Sequence, residues 1–182
     1  QAEAEAAAAA AAEAEAASAG NAYEPYSDGG GVKLHIPQVT AYVEDLDDYI
    51  EKLYDEEMSV KVEATLYIAA LARRTETLES LLAHETVVQT LARVLREDGR
   101  RSIDLATNII SVFFAFSNFS QFHQVILENQ MGDMTMRIID LEVKRAEDRQ
   151  SALKGKRPDE MTQRRMELAT RKQDRLLYVC FY

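Results

Sequence analysis

Hydrophobic residues between positions 36 and 145 recur at steps of three and four, the spacing of one face of an α-helix. The first such run begins at Ile36–Pro37, and proline suits the first turn of a helix. Two later stretches, Val60–Ala72 and Ile103–Phe116, are apolar almost all round, which is typical of helices buried between two others. We therefore predict an all-α fold without β-strands. The apolar face of the first helix is predicted to contain Val39, Tyr42, Val43, Leu46, Tyr49, Ile50, Leu53 and Tyr54.

Polar residues mark where several of these helices begin. The sequence Thr86-Val-Val-Gln89 predicts a capping box at the start of an amphipathic helix. Ser102 is the predicted N-cap of the second all-apolar helix, and Asp133 is predicted to open a later one, after a break at Met131–Gly132. A short helix is predicted before each amphipathic one, at Leu78–Ala83 and at Phe122–Leu127.

This succession of elements occurs twice along the chain. A shift of 45 residues places Val60 on Leu105 and Leu71 on Phe116, and a shift of 44 places Val94 on Ile138. A period in the forties, with one long buried helix and one capped helix in each unit, is typical of armadillo or HEAT repeats. Such units cannot cover their apolar faces alone and therefore stack on their neighbours.

The pattern predicts a fragment of an armadillo/HEAT-type α-solenoid with an inserted charged helical hairpin. Because the chain starts at Gln1 rather than Met and ends in an apolar run after Arg175, we expect more chain beyond it. We predict five segments: a low-complexity Ala/Glu-rich linker (1–35), an acidic amphipathic helix (36–58), two armadillo-like repeats (59–145), a charged helical insertion (146–174) and the start of the next repeat (175–182).

Charge narrows the classes of partner. The net charge is -10, and 12 basic against 8 acidic residues between Arg137 and Arg175 leave the rest of the chain strongly acidic. The excess of acidic residues outside this segment argues against a nucleic-acid-binding protein. The longest apolar run, Ile109–Phe116, is far shorter than the ~20 residues that span a bilayer, so we predict no direct membrane insertion. A single cysteine fits a reducing compartment, and we predict a cytoplasmic protein.

The residues of enzyme and metal sites do not occur together in this sequence. His35, His84 and His123 lie in three separate segments, without Cys or His at ligand spacing. Cys180 has no nearby His or Asn and lies in an apolar helix. The glycines cluster near residue 30 rather than after a strand, as a phosphate-binding loop requires. We therefore predict no catalytic residues, no metal site and no cofactor.

Several strings carry a resemblance to a known family. They are Ala106–Ile110 with Val112–Phe114, Phe116–Ser117 with Phe119–His123, Leu91–Asp98, Asp48–Ile50 with Leu53–Tyr54, and Ile138–Asp140 with Lys144–Arg145. Together they resemble the kinesin-associated protein family, the non-motor subunits of heterotrimeric kinesin-II. The resemblance covers residues 43–145, with a weaker match at 175–182. The segment 141–175 corresponds to a place where the family inserts extra helix, although Gly155–Lys156 and Pro158 depart from its pattern.

The resemblance implies an adaptor that binds the tails of the two motor chains and links them to cargo, such as ciliary (intraflagellar) transport trains. It also implies a location on the cytoskeleton and in the cilium or flagellum. The alternative is a generic armadillo scaffold, or a carrier of peptide signals of the nuclear-import type. Carriers of that type bind peptides through ladders of Trp and Asn, and this chain contains no Trp.

Armadillo units place their third helix on the concave side, where a partner usually lies. In this chain the third helices are predicted at Thr86–Glu97 and Asp133–Leu141. Each presents three polar residues at steps of four and three, on one face. The six predicted partner-binding residues are Gln89, Arg93, Arg96, Asp133, Arg137 and Asp140.

Overall fold

The computed structural model describes residues 38–153 and 158–181, which belong to one compact unit. Within these residues the protein is all-α, without a strand, and the predicted fold class is confirmed. The linker predicted at 1–35 lies outside the described residues. The described helices are α1 (Leu46–Lys52), α2 (Met58–Ala72), α3 (Thr75–Ala83), α4 (Glu85–Asp98), α5 (Ile103–Ser117), α6 (His123–Glu128), α7 (Met131–Leu153) and α8 (Glu160–Phe181), with 3-10 turns at Val43–Asp45 and Ser120–Phe122.

The helices pack as two rows. In one row α2 packs against α5 and α5 against α8, and in the other α1 contacts α4 and α4 contacts α7. The short helices α3 and α6 connect one row to the other along the chain. This is the stacking of a helical repeat, in which each unit covers the apolar faces of its neighbours.

The helix boundaries reproduce the predicted period. Helix α5 begins at Ile103, 45 residues after Met58 begins α2, and the two helices have the same length of 15 residues. Ser102 is the N-cap of α5, as predicted, because its hydroxyl accepts a hydrogen bond from the Leu105 backbone N–H at 3.2 Å. Inside the repeat, the Asn108 amide donates to the Val62 carbonyl of α2 at 3.2 Å.

Aromatic side chains fill the core at the end of α5. The Phe116 and Phe122 rings lie 5.2 Å apart between centroids, and Phe113 and Phe119 each contact one of them edge-on. Phe113, Phe116 and Phe122 are buried. These phenylalanines therefore belong to the core, as expected from their place on the most apolar helix.

The first helix is shorter than predicted. Residues 38–42 are not helical, and α1 begins only at Leu46, after a 3-10 turn. The Ala41 carbonyl accepts a hydrogen bond from Arg74 Nη2 at 2.8 Å, so a tertiary contact satisfies this backbone group outside a helix. Apolar residues at helical steps, including Ala41 and Tyr49, are buried here without one continuous helix.

Only part of the predicted apolar face of this segment is buried. Leu46, Ile50 and Leu53 enter the core, whereas Tyr42 and Tyr54 are exposed. The tyrosines lie outside α1, before and after it, where the helical spacing no longer sets their direction.

The predicted capping box is wrong. Helix α4 begins at Glu85, and His84 is its N-cap residue, without a capping hydrogen bond from its side chain. The Thr86 hydroxyl lies 3.1 Å from His84 Nδ1 instead of bonding a backbone N–H. The other ring nitrogen, Nε2, lies 2.8 Å from Asp47 Oδ1. Because His84 bridges to α1, the chain enters the helix two residues earlier than the local pattern predicts.

The predicted break at Met131–Gly132 lies two residues too late. Helix α7 already begins at Met131, and the turn before it ends at Gln130, whose φ of 53° is left-handed. Glycine usually marks such a turn because it has no Cβ, and here glutamine takes that conformation while Gly132 is helical.

The charged insertion is continuous with the helices on either side of it. Helix α7 runs without interruption to Leu153, and α8 runs from Glu160 to Phe181, so the predicted boundaries at 145/146 and 174/175 fall inside helices. The hairpin consists of extensions of α7 and α8, which pack against each other. Asp159 caps α8 by accepting from the Thr162 backbone N–H at 2.6 Å, and the predicted turn at 155–158 lies mostly outside the described residues.

Candidate partner-binding surfaces

Helix α4 presents the first predicted face, Gln89, Arg93 and Arg96. Gln89 and Arg96 are exposed, whereas Arg93 is half-buried. The Arg93 guanidinium carbon lies 4.4 Å from the centroid of the Tyr54 ring, a cation–π contact, and Nη1 lies 3.3 Å from Glu97 Oε2. Arg93 is therefore held in place by an aromatic ring rather than projecting freely into solvent.

Tyr54 extends this face, and sequence reasoning missed it. Its side chain is 60% exposed, and its hydroxyl lies 3.2 Å from Thr90 Oγ1 of α4. Arg93 Nη2 is buried and has no hydrogen-bond partner among the described residues. Tyrosine and arginine are the residue types that most often dominate binding energy at protein interfaces. The sequence placed Tyr54 on a buried helical face, so its exposure was visible only in the structure.

Helix α7 presents the second predicted face, Asp133, Arg137 and Asp140. All three side chains are exposed, and none forms a hydrogen bond or ion pair within the part of the chain that the structure describes. They follow one side of the helix, as their spacing predicts. These charges are available to another molecule.

The two faces lie on helices that contact each other, α4 and α7. No hydrogen bond or ion pair joins a residue of one face to a residue of the other among residues 38–153. That the six residues line one concave groove, and that they bind a partner, stays a prediction.

Two apolar residues lie on the exposed side of α7, and the sequence analysis did not select them. Met136 and Val143 are 57% and 45% exposed. Met136 lies between the buried positions Met134 and Ile138 in the sequence, and Val143 directly follows the buried Glu142, so a search for the core-facing stripe passes over both. Their spacing of seven residues was the available signal.

Many other charges of the chain hold helices together. Asp98 of α4 accepts from Lys61 Nζ of α2 at 2.6 Å and from Arg101 Nη1 at 2.7 Å. The hydrogen bond from Lys61 lowers the pKa of Asp98 below its ordinary value, outweighing the opposite effect of burial. These groups are already paired within the fold.

Basic residues between Arg137 and Arg175 also form contacts between helices. Arg149 Nη2 donates to Gln173 Oε1 at 2.7 Å, and Gln173 Nε2 donates to the Glu142 carbonyl at 2.6 Å, which joins α7 to α8. Lys172 of α8 pairs with Asp104 of α5. Some of the basic residues between 137 and 175 therefore stabilise the packing of α8 against α7 and α5.

Groups with reactive potential are isolated from one another. Burial raises the pKa of the Cys180 thiol to about 11, which keeps it protonated near neutral pH. His123 Nε2 lies 2.9 Å from the Ser117 carbonyl. Across residues 38–153 and 158–181 no three His, Cys, Asp or Glu side chains are grouped as metal ligands. None of the described helices is long and apolar enough to cross a membrane.

A comparison with models of known protein families identifies the family to which the chain belongs. The family model for kinesin-associated protein (KAP) matches residues 3–182. The chain belongs to the kinesin-associated protein family. The match confirms the resemblance drawn from the strings between Asp48 and Arg145, and it extends over the charged hairpin as well. No solved structure matches the chain. Membership implies association with kinesin.

Proposed function

We propose that this chain is part of the non-catalytic adaptor subunit of heterotrimeric kinesin-II. In this role it binds the tails of the two motor chains and links them to cargo such as ciliary (intraflagellar) transport trains. The observation that carries the proposal is the family match over residues 3–182. The corresponding location is the cytoplasm, on the cytoskeleton and in the cilium or flagellum.

The packing supports this role. An adaptor that joins two chains needs a scaffold that holds its contact residues in fixed positions. The row of α2, α5 and α8 supplies a continuous core, and α4 and α7 pack beside it. We propose that Gln89, Arg93 and Arg96 on α4 contact the partner, together with Asp133, Arg137 and Asp140 on α7.

The nuclear-import type of peptide carrier is less well supported. Its binding mode depends on Trp side chains, and this chain has none. The exposed faces of α4 and α7 are charged instead, which suits ion pairs and bidentate contacts from arginine.

The double variant Arg93→Glu/Arg137→Glu tests the proposed contacts. We expect co-purification with both motor chains and with transport-train cargo to weaken, because two cationic contacts become repulsive. Helix content and melting temperature should change little, since Arg137 is exposed and the contact of Arg93 with Tyr54 contributes only about 1 kcal/mol.

The matched control is Arg165→Glu/Arg171→Glu on α8, which makes the same change in net charge at two exposed positions. This control should retain every partner. Unaltered recovery of all partners by the Arg93/Arg137 variant would place the contacts elsewhere in the protein.

A further inference from the structure

The exposed side of α7 carries three kinds of side chain, each repeated every seven residues. An apolar stripe consists of Met136 and Val143, an acidic stripe of Asp133, Asp140 and Glu147, and a basic stripe of Arg137 and Lys144. Residues seven apart on an α-helix differ by only about 20° around its axis, so each kind forms a line along the helix. At 3.6 residues per turn, the acidic stripe lies between the apolar and the basic ones.

Contacts within α7 do not account for this arrangement. Asp133 and Arg137, like Asp140 and Lys144, have the i, i+4 spacing at which ion pairs form along a helix. In the described part of the chain none of these charges is paired, whereas Arg164 and Glu160 of α8 do form such a pair at 2.6 Å.

A solvated helix face explains the charges but not the apolar stripe. Met136 and Val143 leave more than two fifths of their surface in water, and they do so at the same angular position on the helix. Apolar residues repeating every seven positions, with charged stripes beside them, are typical of a helix that packs against a second helix.

We propose that the exposed side of α7 docks an amphipathic α-helix of a partner protein. The apolar seam of that helix covers Met136 and Val143, and basic residues along its flank face Asp140 and the rest of the acidic stripe. The inference rests on the proposed function in one respect, that the helix comes from a partner of the adaptor.

The charge of the docked helix follows from the order of the stripes. The acidic stripe adjoins the apolar one directly, so the residues that flank the partner's seam meet carboxylates first. A helix with acidic flanks would place like charges opposite each other, which opposes association. The docked helix is therefore one with a basic flank.

Helix α8 offers a matched control surface. Met161 and Leu168 are also seven residues apart and are 62% and 56% exposed. Their neighbours on the exposed side include Arg165 and Arg171, so the flanking charge is opposite to that on α7. Replacing either apolar pair removes two exposed apolar side chains from one helix and should affect stability similarly. Only the α7 pair belongs to the proposed surface.

The test uses the whole chain and a designed, fluorescein-labelled peptide of three heptads. The peptide has Leu at its seam positions and Lys at both flanking positions, so that either orientation presents a basic flank. We expect its fluorescence anisotropy to report binding to the unmodified chain. Met136→Ser/Val143→Ser should weaken binding at least about tenfold, because the covered apolar area is lost without a change in charge. Met161→Ser/Leu168→Ser should bind as the unmodified chain does.

Two further peptides separate docking from simple charge attraction to an acidic chain. A peptide with Glu instead of Lys, and one with Ser in the seam, should each bind at least about tenfold more weakly. Equal binding of the Ser-seam peptide would overturn the proposal, as would equal binding by the Met136→Ser/Val143→Ser chain. Thermal melting of each variant checks that the fold is intact.

Capture of the two motor chains separates this inference from the proposed function. Loss of capture in Met136→Ser/Val143→Ser, but not in the α8 control, supports both. If the unmodified chain recovers neither motor chain, the proposed function fails and the peptide experiment alone decides the inference. A dimer of the chain that dissociates in Met136→Ser/Val143→Ser identifies a second copy as the occupant, and that outcome contradicts the proposal.

Discussion

At the scale of single residues, Asp98 shows how an acidic chain uses charge inside its fold. The carboxylate is almost fully buried, and its pKa is nevertheless lowered, mainly because Lys61 donates a hydrogen bond to it. A buried charge is stable only with such partners, because desolvation alone would favour the neutral form. The pair ties the C-terminal end of α4 to α2.

Replacing this carboxylate gives a pH-dependent prediction. Asp98→Asn should lower the free energy of unfolding by about 2 to 3 kcal/mol at pH 7, because the Lys61 ammonium loses its ion-pair partner. A lowered folded-state pKa stabilises the fold above the ordinary value of 3.8, and this contribution is lost as the pH falls through the folded-state pKa. Urea denaturation at pH 7, 5 and 3 should show the difference between the two proteins shrinking only at the lowest pH.

Glu79→Gln is the control for that experiment. Glu79 is exposed on α3 and has no hydrogen bond or ion pair in the described region. Its neutralisation should change stability by less than about 0.5 kcal/mol at any pH. A difference between Asp98→Asn and the unmodified chain that persisted unchanged at pH 3 would show that the carboxylate is not the source.

At the scale of helices, the accuracy of sequence reasoning depended on where the signal for each end lies. The ends of α2 and α5 were predicted within two residues because both helices are apolar on nearly all sides. In addition, Arg73 marks the C-terminal end of α2 and Ser102 the N-terminal end of α5. The start of α4 was wrong, since His84 is fixed by Asp47, which is 37 residues away in the chain. A local pattern cannot contain such a contact.

The two candidate caps provide a matched test. Ser102→Ala should destabilise the protein by about 1 kcal/mol, because the Leu105 N–H loses its acceptor. Thr86→Ala should cost less than about 0.5 kcal/mol, because the Thr86 hydroxyl contacts the His84 ring and caps no backbone group. Guanidinium denaturation measures both values. Equal losses would restore the capping box that the sequence predicted.

At the scale of the whole molecule, the repeat was predictable and the continuity of its last helices was not. The period of 45 residues follows from the apolar pattern alone. The high charge between Glu142 and Asp174 is carried by a hairpin that continues without a break into the stacked parts of α7 and α8, and some of its polar side chains, including that of Glu142, are buried between helices. The family and fold were thus accessible from sequence, while the exposed apolar residues Met136, Val143 and Tyr54 required knowledge of which helix faces remain uncovered.

One buried polar residue, Asn108, joins the three helices of the row formed by α2, α5 and α8. Asn108 of α5 donates to Val62 of α2, 46 residues away, and accepts at 3.4 Å from Arg175 of α8, 67 residues away. The larger separation on the α8 side reflects the added hairpin, which leaves the stacking of α8 on α5 in place. Burial lowers the pKa of Arg175, so this guanidinium depends on its polar contacts.

The variant Asn108→Leu should therefore loosen α8 more than it loosens α5. Leucine keeps the volume of the side chain but offers no acceptor to the half-buried Arg175 guanidinium, and a lost hydrogen bond to a charged group costs about 1.5 to 3 kcal/mol. Native-state hydrogen exchange should show faster exchange of α8 amides, with smaller changes in the middle of α5. The control Ser111→Ala removes a hydroxyl that bonds only the Thr107 carbonyl of the same helix, and it should leave α8 protected. Unchanged protection of α8 in Asn108→Leu would mean that apolar contacts, chiefly those of the buried Leu176, hold this helix without the polar bridge.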